Sequence, residues 1–191
     1  REAQRLGTRP AKPCGTSSAS RAWRQPVGPA LPRTLGLASA MQHRISAGAI
    51  IQREDRLLLV RHVVPGKYDF WVCPGGGVKG NESLEEAACR EAKEETGLDV
   101  QITKLVYFEE FFNPNCRFLK FWFLAQPLSG ELDVSHPDTV AEHIVEAAWL
   151  RQDELRGKTV FPPVIVQRFR EDAAMGFKEV VRLPLRSMEV W

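Results

Sequence analysis

The stretch from Ser83 to Gly97 narrows what this chain can be more than any other, because it reads as a well-bounded helix whose carboxylates stand on its inner side. Ser83 and Glu86 have the spacing of a capping box, and Gly97 is placed to stop the helix after Thr96. Turning about 100° per residue from Leu84, Glu91 and Glu95 fall within roughly 20° of that leucine. Ala87, Ala88 and Ala92 flank them, and the far side carries Glu86, Cys89, Arg90 and Lys93. An acidic cluster on a helix is ordinarily a solvated face. Here two carboxylates four residues apart repel each other and occupy the stripe that should meet the rest of the fold. Partly buried like charges need a compensating cation or a raised pKa. The alanines leave room for a hydrated ion, and an oxygen-only donor set favours Mg²⁺ or Mn²⁺ over softer metals. Just upstream, Gly75-Gly76-Gly77 lets backbone approach the same place. The pattern points to metal-assisted chemistry on phosphate.

Strand signals surround this helix. Ile45–Ile51 and Leu57–Val60 are separated by the polar turn Arg53-Glu54-Asp55-Arg56, which predicts a hairpin. A loop with Pro65-Gly66 leads to a third strand at Phe70–Cys73. Two more strands are expected at 101–112 and 116–126, joined at Asn113-Pro114-Asn115. Residues 129–141 read as a surface loop, Val145–Leu150 as another strand, and 163–174 as a single helix after Pro162-Pro163. Helices on either side of a mixed β-sheet, an α/β sandwich, is the architecture consistent with this order.

The segment from Gly76 to Leu98 also resembles the Nudix box: Gly, five residues, Glu, seven residues, Arg-Glu, an aliphatic, any residue, Glu-Glu, any residue, Gly, aliphatic. Gly76, Glu82, Arg90, Glu91, Glu94, Glu95 and Gly97 fill every fixed position, and Leu98 fills the last aliphatic one. Ala92 is smaller than the aliphatic usual at its place. Trp71, Pro74-Gly75-Gly76 and the segment Glu146–Leu150 extend the similarity over about residues 44–156.

The resemblance implies a Nudix-type α/β/α sandwich around a mixed β-sheet, and a hydrolase that cleaves the diphosphate of a nucleoside diphosphate linked to another group, releasing a nucleoside monophosphate. It implies Mg²⁺, with Mn²⁺ as a substitute, held by Glu91, Glu94 and Glu95. Glu91 is also the candidate base, directly or through water. Glu82 and Arg90 are expected to pair and brace the loop, while Gly76 and Gly97 serve backbone geometry. A further carboxylate is expected before the closing strand: Glu142 is preferred to Glu146, with Glu109 and Glu110 as second choices. Arg61, Lys67 and Lys79 are the basic residues placed to meet phosphates, although isolated cations near turns are usually just solvated.

Favoured substrates are ADP-ribose and nucleotide sugars, or nucleoside triphosphates including oxidised ones. Pro114 stands close to where the ADP-sugar hydrolase branch tends to carry a proline, and a turn between strands explains it equally well. Eight of the seventeen aromatics lie between Tyr107 and Phe123; they alternate as core strands do, and could alternatively stack a base. The alternative in function is a non-catalytic nucleotide-sensing module using the same pocket. It predicts loss of a box carboxylate, and none is lost.

Charge separates the chain into two pieces. The full 191 residues carry a net charge of +2, but residues 1–40 hold seven basic residues and one acidic, leaving 19 basic and 23 acidic residues in 41–191. The acidic piece offers no track for a long nucleic acid, and no run is long and apolar enough to span a bilayer. A small nucleotide is the expected partner, and a homodimer is admitted. Residues 1–40 hold five prolines and no apolar period, so they read as a disordered or extension arm before a domain at 41–191. An organellar transit segment, an extension upstream of Met41 and a flexible native arm are the three readings, the extension being preferred. The four cysteines show no close-spaced metal pair, which favours reduced thiols in a cytoplasmic protein, with organellar targeting by 1–40 as the alternative.

Overall fold

The structure is a computed structural model that describes residues 41–188. The expected arm at 1–40 lies outside the described residues. The first strand, β1 (Gln42–Arg53), turns through Glu54-Asp55 into β2 (Arg56–Val64), as the polar turn predicts. The two strands pair only at Gln52 with Leu57 and Arg53 with Arg56. Beyond that point they part. The freed edge of β2 takes β3 (Tyr68–Val72), and the freed edge of β1 takes β4 (Gly75–Gly77), so Cys73-Pro74 carries the chain from one edge to the other.

Helix α1 (Leu84–Thr96) follows with the caps expected of it. Ser83 Oγ accepts from the Glu86 amide, the Glu86 carboxylate accepts in turn from the Ser83 amide, and Gly97 closes the helix in the left-handed region at φ 76°. Strands β5 (Asp99–Phe112) and β6 (Cys116–Ser129) form a long antiparallel pair around an Asn113 side chain that accepts from the amides of Asn115 and Cys116. β6 runs parallel to β1 over ten residues, a crossover made by α1 and β5. Both strands are longer than expected.

The expected loop at 129–141 contains a short helix, α2 (Pro137–Ala141). β7 (Ile144–Arg151) then pairs with β2, and β8 (Val160–Phe161) runs parallel to β3. The single helix expected at 163–174 is instead two pieces, α3 (Val164–Gln167) and α4 (Phe169–Ala174). They break at Arg168, whose φ of −148° leaves the helical region while its guanidinium holds Asp172 at 2.6 and 2.9 Å. Two short strands with no counterpart in the sequence reading, β9 (Val181–Arg182) and β10 (Arg186–Ser187), run parallel to β5.

The mixed sheet has helices on both faces, the expected α/β sandwich. Ala47, Ala49, Ile51 and Leu58 meet the alanine face of α1, whereas Ile50, Leu57 and Leu59 meet Val164, Ile165 and Phe169 on the other side. Full burial of a large aliphatic side chain contributes about 1.5–3 kcal/mol, and a one-residue slip of β1 would exchange its two faces. The register that faces Gly75–Gly77 toward α1 is therefore fixed by packing on both layers.

Candidate active site

Residues Gly75–Gly77 run as an uncovered backbone strip between β1 and the inner face of α1. Gly75 adopts φ 152°, and a Cβ there would fall 2.3 Å from the Gly48 Cα, so only glycine fits. A Cβ on Gly76 would fall 2.5 Å from Oε1 of Glu91. The Gly75 amide donates to Glu95 Oε2 at 3.1 Å. Glu91 and Glu95 are 5% and 4% exposed, so the two carboxylates on the apolar stripe are indeed buried with Ala87, Ala88 and Ala92.

Arg90 organises this group. Its Nε and Nη2 grip both oxygens of Glu82 at 2.9 and 2.7 Å, and Nη2 also donates to the Gly77 carbonyl at 2.9 Å. Nη1 reaches Glu91 Oε1 at 2.7 Å and Glu94 Oε2 at 2.9 Å. The expected Glu82–Arg90 brace is present, and its reach to Glu91 and Glu94 is an addition that the sequence did not indicate. Paired this way, Glu82 is held down to about 2 by the Arg90 guanidinium. Among the described residues no group of three His, Cys, Asp or Glu side chains is closed around one point; Glu91 and Glu94 meet at Arg90 Nη1, and Glu95 accepts from the Gly75 amide.

Burial pushes the Glu95 carboxyl up to about 8; repulsion from Glu91 and Glu142 adds to the shift, and Lys120 opposes it. Lys120 lies on β6 among Phe118, Leu119, Phe121 and Trp122, and its Nζ donates to the Gly75 carbonyl at 2.8 Å and sits 4.4 Å above the Trp122 ring. Burial lowers its pKa, while Glu95, Glu109 and Glu91 act to raise it. Arg90 pairs with Glu91 and Arg186 with Glu109, so Lys120 is the third cation here, set against the carboxyls of Glu82, Glu91, Glu94, Glu95 and Glu109 in an oxygen-only donor set. That chemistry suits a hard divalent cation.

A cleft of about 940 Å³ opens above the strip, where β1 and β2 part. Glu95, Lys120 and Glu142 line it, and Glu142 stands where α2 ends. Loss of solvent, then repulsion from Glu91, raises the Glu142 carboxyl. Glu142 thus reaches the cleft, whereas Glu146 pairs with Arg61 at 3.6 Å outside it. The adjacent pair on β5 divides: Glu109 points inward, 1% exposed, and Glu110 points outward to Arg117 and Arg182. Neither Arg61 nor Lys79 is brought to the cleft. Arg61 grips Asp69 at 2.7 and 2.9 Å, and Lys79 lies 3.5 Å from Glu94 and 3.8 Å from Asp138; Lys67 does line the wall.

The aromatic run splits by face. Phe123 packs under α1 with Phe121 against it, whereas Phe111 and Phe118 stack at 4.8 Å on the cleft wall. His62 and Phe70 stack at 5.0 Å on another wall, and His62 Nδ1 bonds the Glu142 carbonyl at 2.9 Å. Sequence reasoning missed Lys120, His62 and Arg186 of β10. Lys120 had a signal, a lone charge within the apolar run 118–125; the other two had none.

A family model described as the NUDIX domain matches residues 42–169. Nudix hydrolase 8 of Arabidopsis thaliana is 24% identical over 135 residues, a match covering 68% of this chain and 37% of the plant protein. Phosphatase NudJ of Escherichia coli K12 is 29% identical over 116 residues, covering 56% of this chain and 74% of that protein. The chain thus spans less than half the length of the plant relative. A solved NUDIX hydrolase from Nitrosomonas europaea aligns with a TM-score of 0.58 at 27% identity, covering 73% of this chain and 94% of that one. The capped acidic helix that dominates the sequence lies wholly inside the matched span, and the chain belongs to the Nudix domain family.

Proposed function

We propose that this chain is a Mg²⁺-dependent hydrolase of the diphosphate bond in a nucleoside diphosphate linked to another group, releasing a nucleoside monophosphate. One observation carries the reading: Glu91 and Glu95 of one helix are buried against a glycine strip that has no side chains of its own, beneath a cleft large enough for a nucleotide. Glu91, Glu94 and Glu95 would hold Mg²⁺, or Mn²⁺ in its place. When bound, the ion neutralises phosphate oxygens and makes water more acidic.

The chain's own groups then have distinct tasks. Arg90 keeps the carboxylates of Glu91 and Glu94 in fixed positions, and Glu82 keeps Arg90 in place. Glu91 takes the proton from the attacking water as the new P–O bond forms and the bridging P–O bond breaks. Lys120 uses one of its three N–H donors on the Gly75 carbonyl, and the others are free to meet phosphoryl oxygens. Glu142, at the cleft edge, is the further carboxylate of the site. The aromatic walls exclude water from the bond under attack and support the organic part of the substrate. ADP-ribose and nucleotide sugars, or nucleoside triphosphates including oxidised ones, are the favoured substrates.

The test is product identification after incubation with these compounds and Mg²⁺. A nucleoside monophosphate is expected, with a phosphosugar from the first class and pyrophosphate from the second. Glu95→Gln is expected to lower kcat by about 100-fold or more. Full turnover in that variant defeats the assignment, and binding without any turnover would identify a nucleotide-sensing module instead.

A further inference from the structure

The geometry points to Arg186 as a specificity-determining residue of the cleft, one that reads the carbonyl edge of the substrate's base and so favours keto bases over amino bases. The inference rests on the preceding reading in that the cleft receives a nucleotide, and among the substrates of that reading it ranks guanine nucleotides and their sugar derivatives above ADP-ribose. Arg186 belongs to β10, outside the 42–169 span of the family model. Arg186 stands opposite Phe111 of β5, and the Met188 amide donates to the Phe112 carbonyl at 2.8 Å, so this late segment forms part of the cleft wall.

The guanidinium is held on three sides. Its carbon lies 4.8 Å from the ring centroid of Phe111 and 4.9 Å from that of Phe161. Nε donates to Glu109 Oε2 at 2.9 Å, and Glu109 is itself fixed by Trp122 Nε1 on its other oxygen at 3.0 Å. Among the described residues no hydrogen bond uses Nη1 or Nη2 of Arg186. Among the same residues no buried side-chain nitrogen or oxygen lacks a partner, so these two nitrogens are solvent-accessible on a residue that lines the cleft. The two ring contacts and the Glu109 bond hold the guanidinium in place. What remains is an edge of N–H donors.

Charge decides what that edge takes. Glu109 neutralises Arg186 at contact distance, so the pair attracts a phosphate less than Lys120 does, and the guanidinium acts chiefly as a directional donor. A guanidinium edge matches two acceptors lying side by side on a ring, as O6 and N7 do on guanine. Adenine places an amino donor where guanine has O6, which leaves one N–H facing another. Phe111 and Phe118, stacked on each other at 4.8 Å, make the wall beside this edge apolar.

Calorimetric titration with GMP and AMP reads the edge without turnover. The wild-type chain is expected to bind GMP about tenfold or more tightly than AMP. Arg186→Lys keeps the charge pair with Glu109 but lacks the fork, and is expected to bring the ratio close to one. Arg186→Gln, whose amide can also hold Glu109, reads the same ratio should the lysine variant unfold. Equal affinity for both nucleotides in the wild type, a ratio that survives substitution, or failure to bind either nucleotide overturns the inference. GMP binding without hydrolysis of any diphosphate derivative defeats the hydrolase reading and leaves the role of Arg186 intact.

Discussion

Gly76 and the Glu91 carboxylate share one space: a methyl group at position 76 would lie 2.5 Å from Oε1 and 2.8 Å from Oε2. The obstructing atoms end a side chain rather than belong to backbone, so the fold can yield where the site cannot. Gly76→Ala is therefore expected to lower stability by about 1 kcal/mol, at the mild end of overpacking. Its kcat should fall far more, by about 100-fold, because Glu91 must leave its place beside Arg90. Denaturant midpoints and steady-state rates on the same preparation test this; a variant as active as the wild type would show that the position of Glu91 is unimportant.

Arg90 and Glu82 predict an acid-dependent loss of stability. Glu82 is held down to about 2 from an ordinary value of 4.5, chiefly by its hydrogen bonds to Arg90. A carboxylate with a depressed folded-state pKa contributes its full stability above 4.5 and loses it as pH falls toward about 2. Glu82→Gln is expected to cost about 1.5–3 kcal/mol at pH 7, the range for hydrogen bonds to charged groups. The gap to the wild type should close between pH 4.5 and 2. Urea midpoints across that interval supply the test, and a gap independent of pH counts against the ion pair as its source.

How much of this was legible beforehand follows from the range of the interactions. Helix α1 was readable to its caps because Ser83, Glu86 and Gly97 act on their own neighbourhood. The inward direction of Glu91 and Glu95 was readable because helical period alone sets it. The short strands β9 and β10 were not, since two-residue strands have no period and exist only because β5 offers an edge. The same reason hid Arg186, which reaches Glu109 across 77 positions of sequence. The alternation of Phe108 with Phe112 and of Phe121 with Phe123 marked core strands, but only the parting of β1 from β2 made the face of Phe111 and Phe118 a cleft wall. Arg61 and Lys79 were plausible phosphate contacts by position, and local carboxylates took both.

His62 predicts a second pH dependence in a different window. Burial pushes its imidazole down to about 4 from 6.5, with Lys120 and His143 adding to the shift and the Glu142 carbonyl opposing it. A histidine buried neutral contributes fully above pH 6.5, and its stability is lost as pH falls toward about 4, since the unfolded chain takes up the proton first. The slope from one proton reaches about 1.4 kcal/mol per pH unit. His62→Gln retains a donor for the Glu142 carbonyl and removes the titration, so its stability curve should be flatter across this window. Thermal melts at successive pH values measure it, and parallel curves for the two proteins would contradict the buried neutral state.

The strongest prediction concerns Mg²⁺ and stability, because it separates cation binding from catalysis. Lys120 is a half-buried cation near Glu91, Glu95 and Glu109, and the Glu95 carboxyl is raised to about 8 from 4.5 as a result of burial and of Glu91 and Glu142. An acid raised in the folded state costs stability as pH climbs from 4.5 toward 8, because the unfolded chain ionises first. Without Mg²⁺, Glu95→Gln should therefore be more stable than the wild type at pH 8, and the two should converge near pH 4.5. With Mg²⁺ the gap should narrow. A ligand at 100 times its Kd stabilises the state that binds it by about 2.7 kcal/mol, and the wild type should gain more of this than the variant. Melting temperatures with Mg²⁺ and with EDTA give all four numbers. Equal gains for wild type and Glu95→Gln would place the cation elsewhere, whereas a gain confined to the wild type would tie it to the inner face of α1.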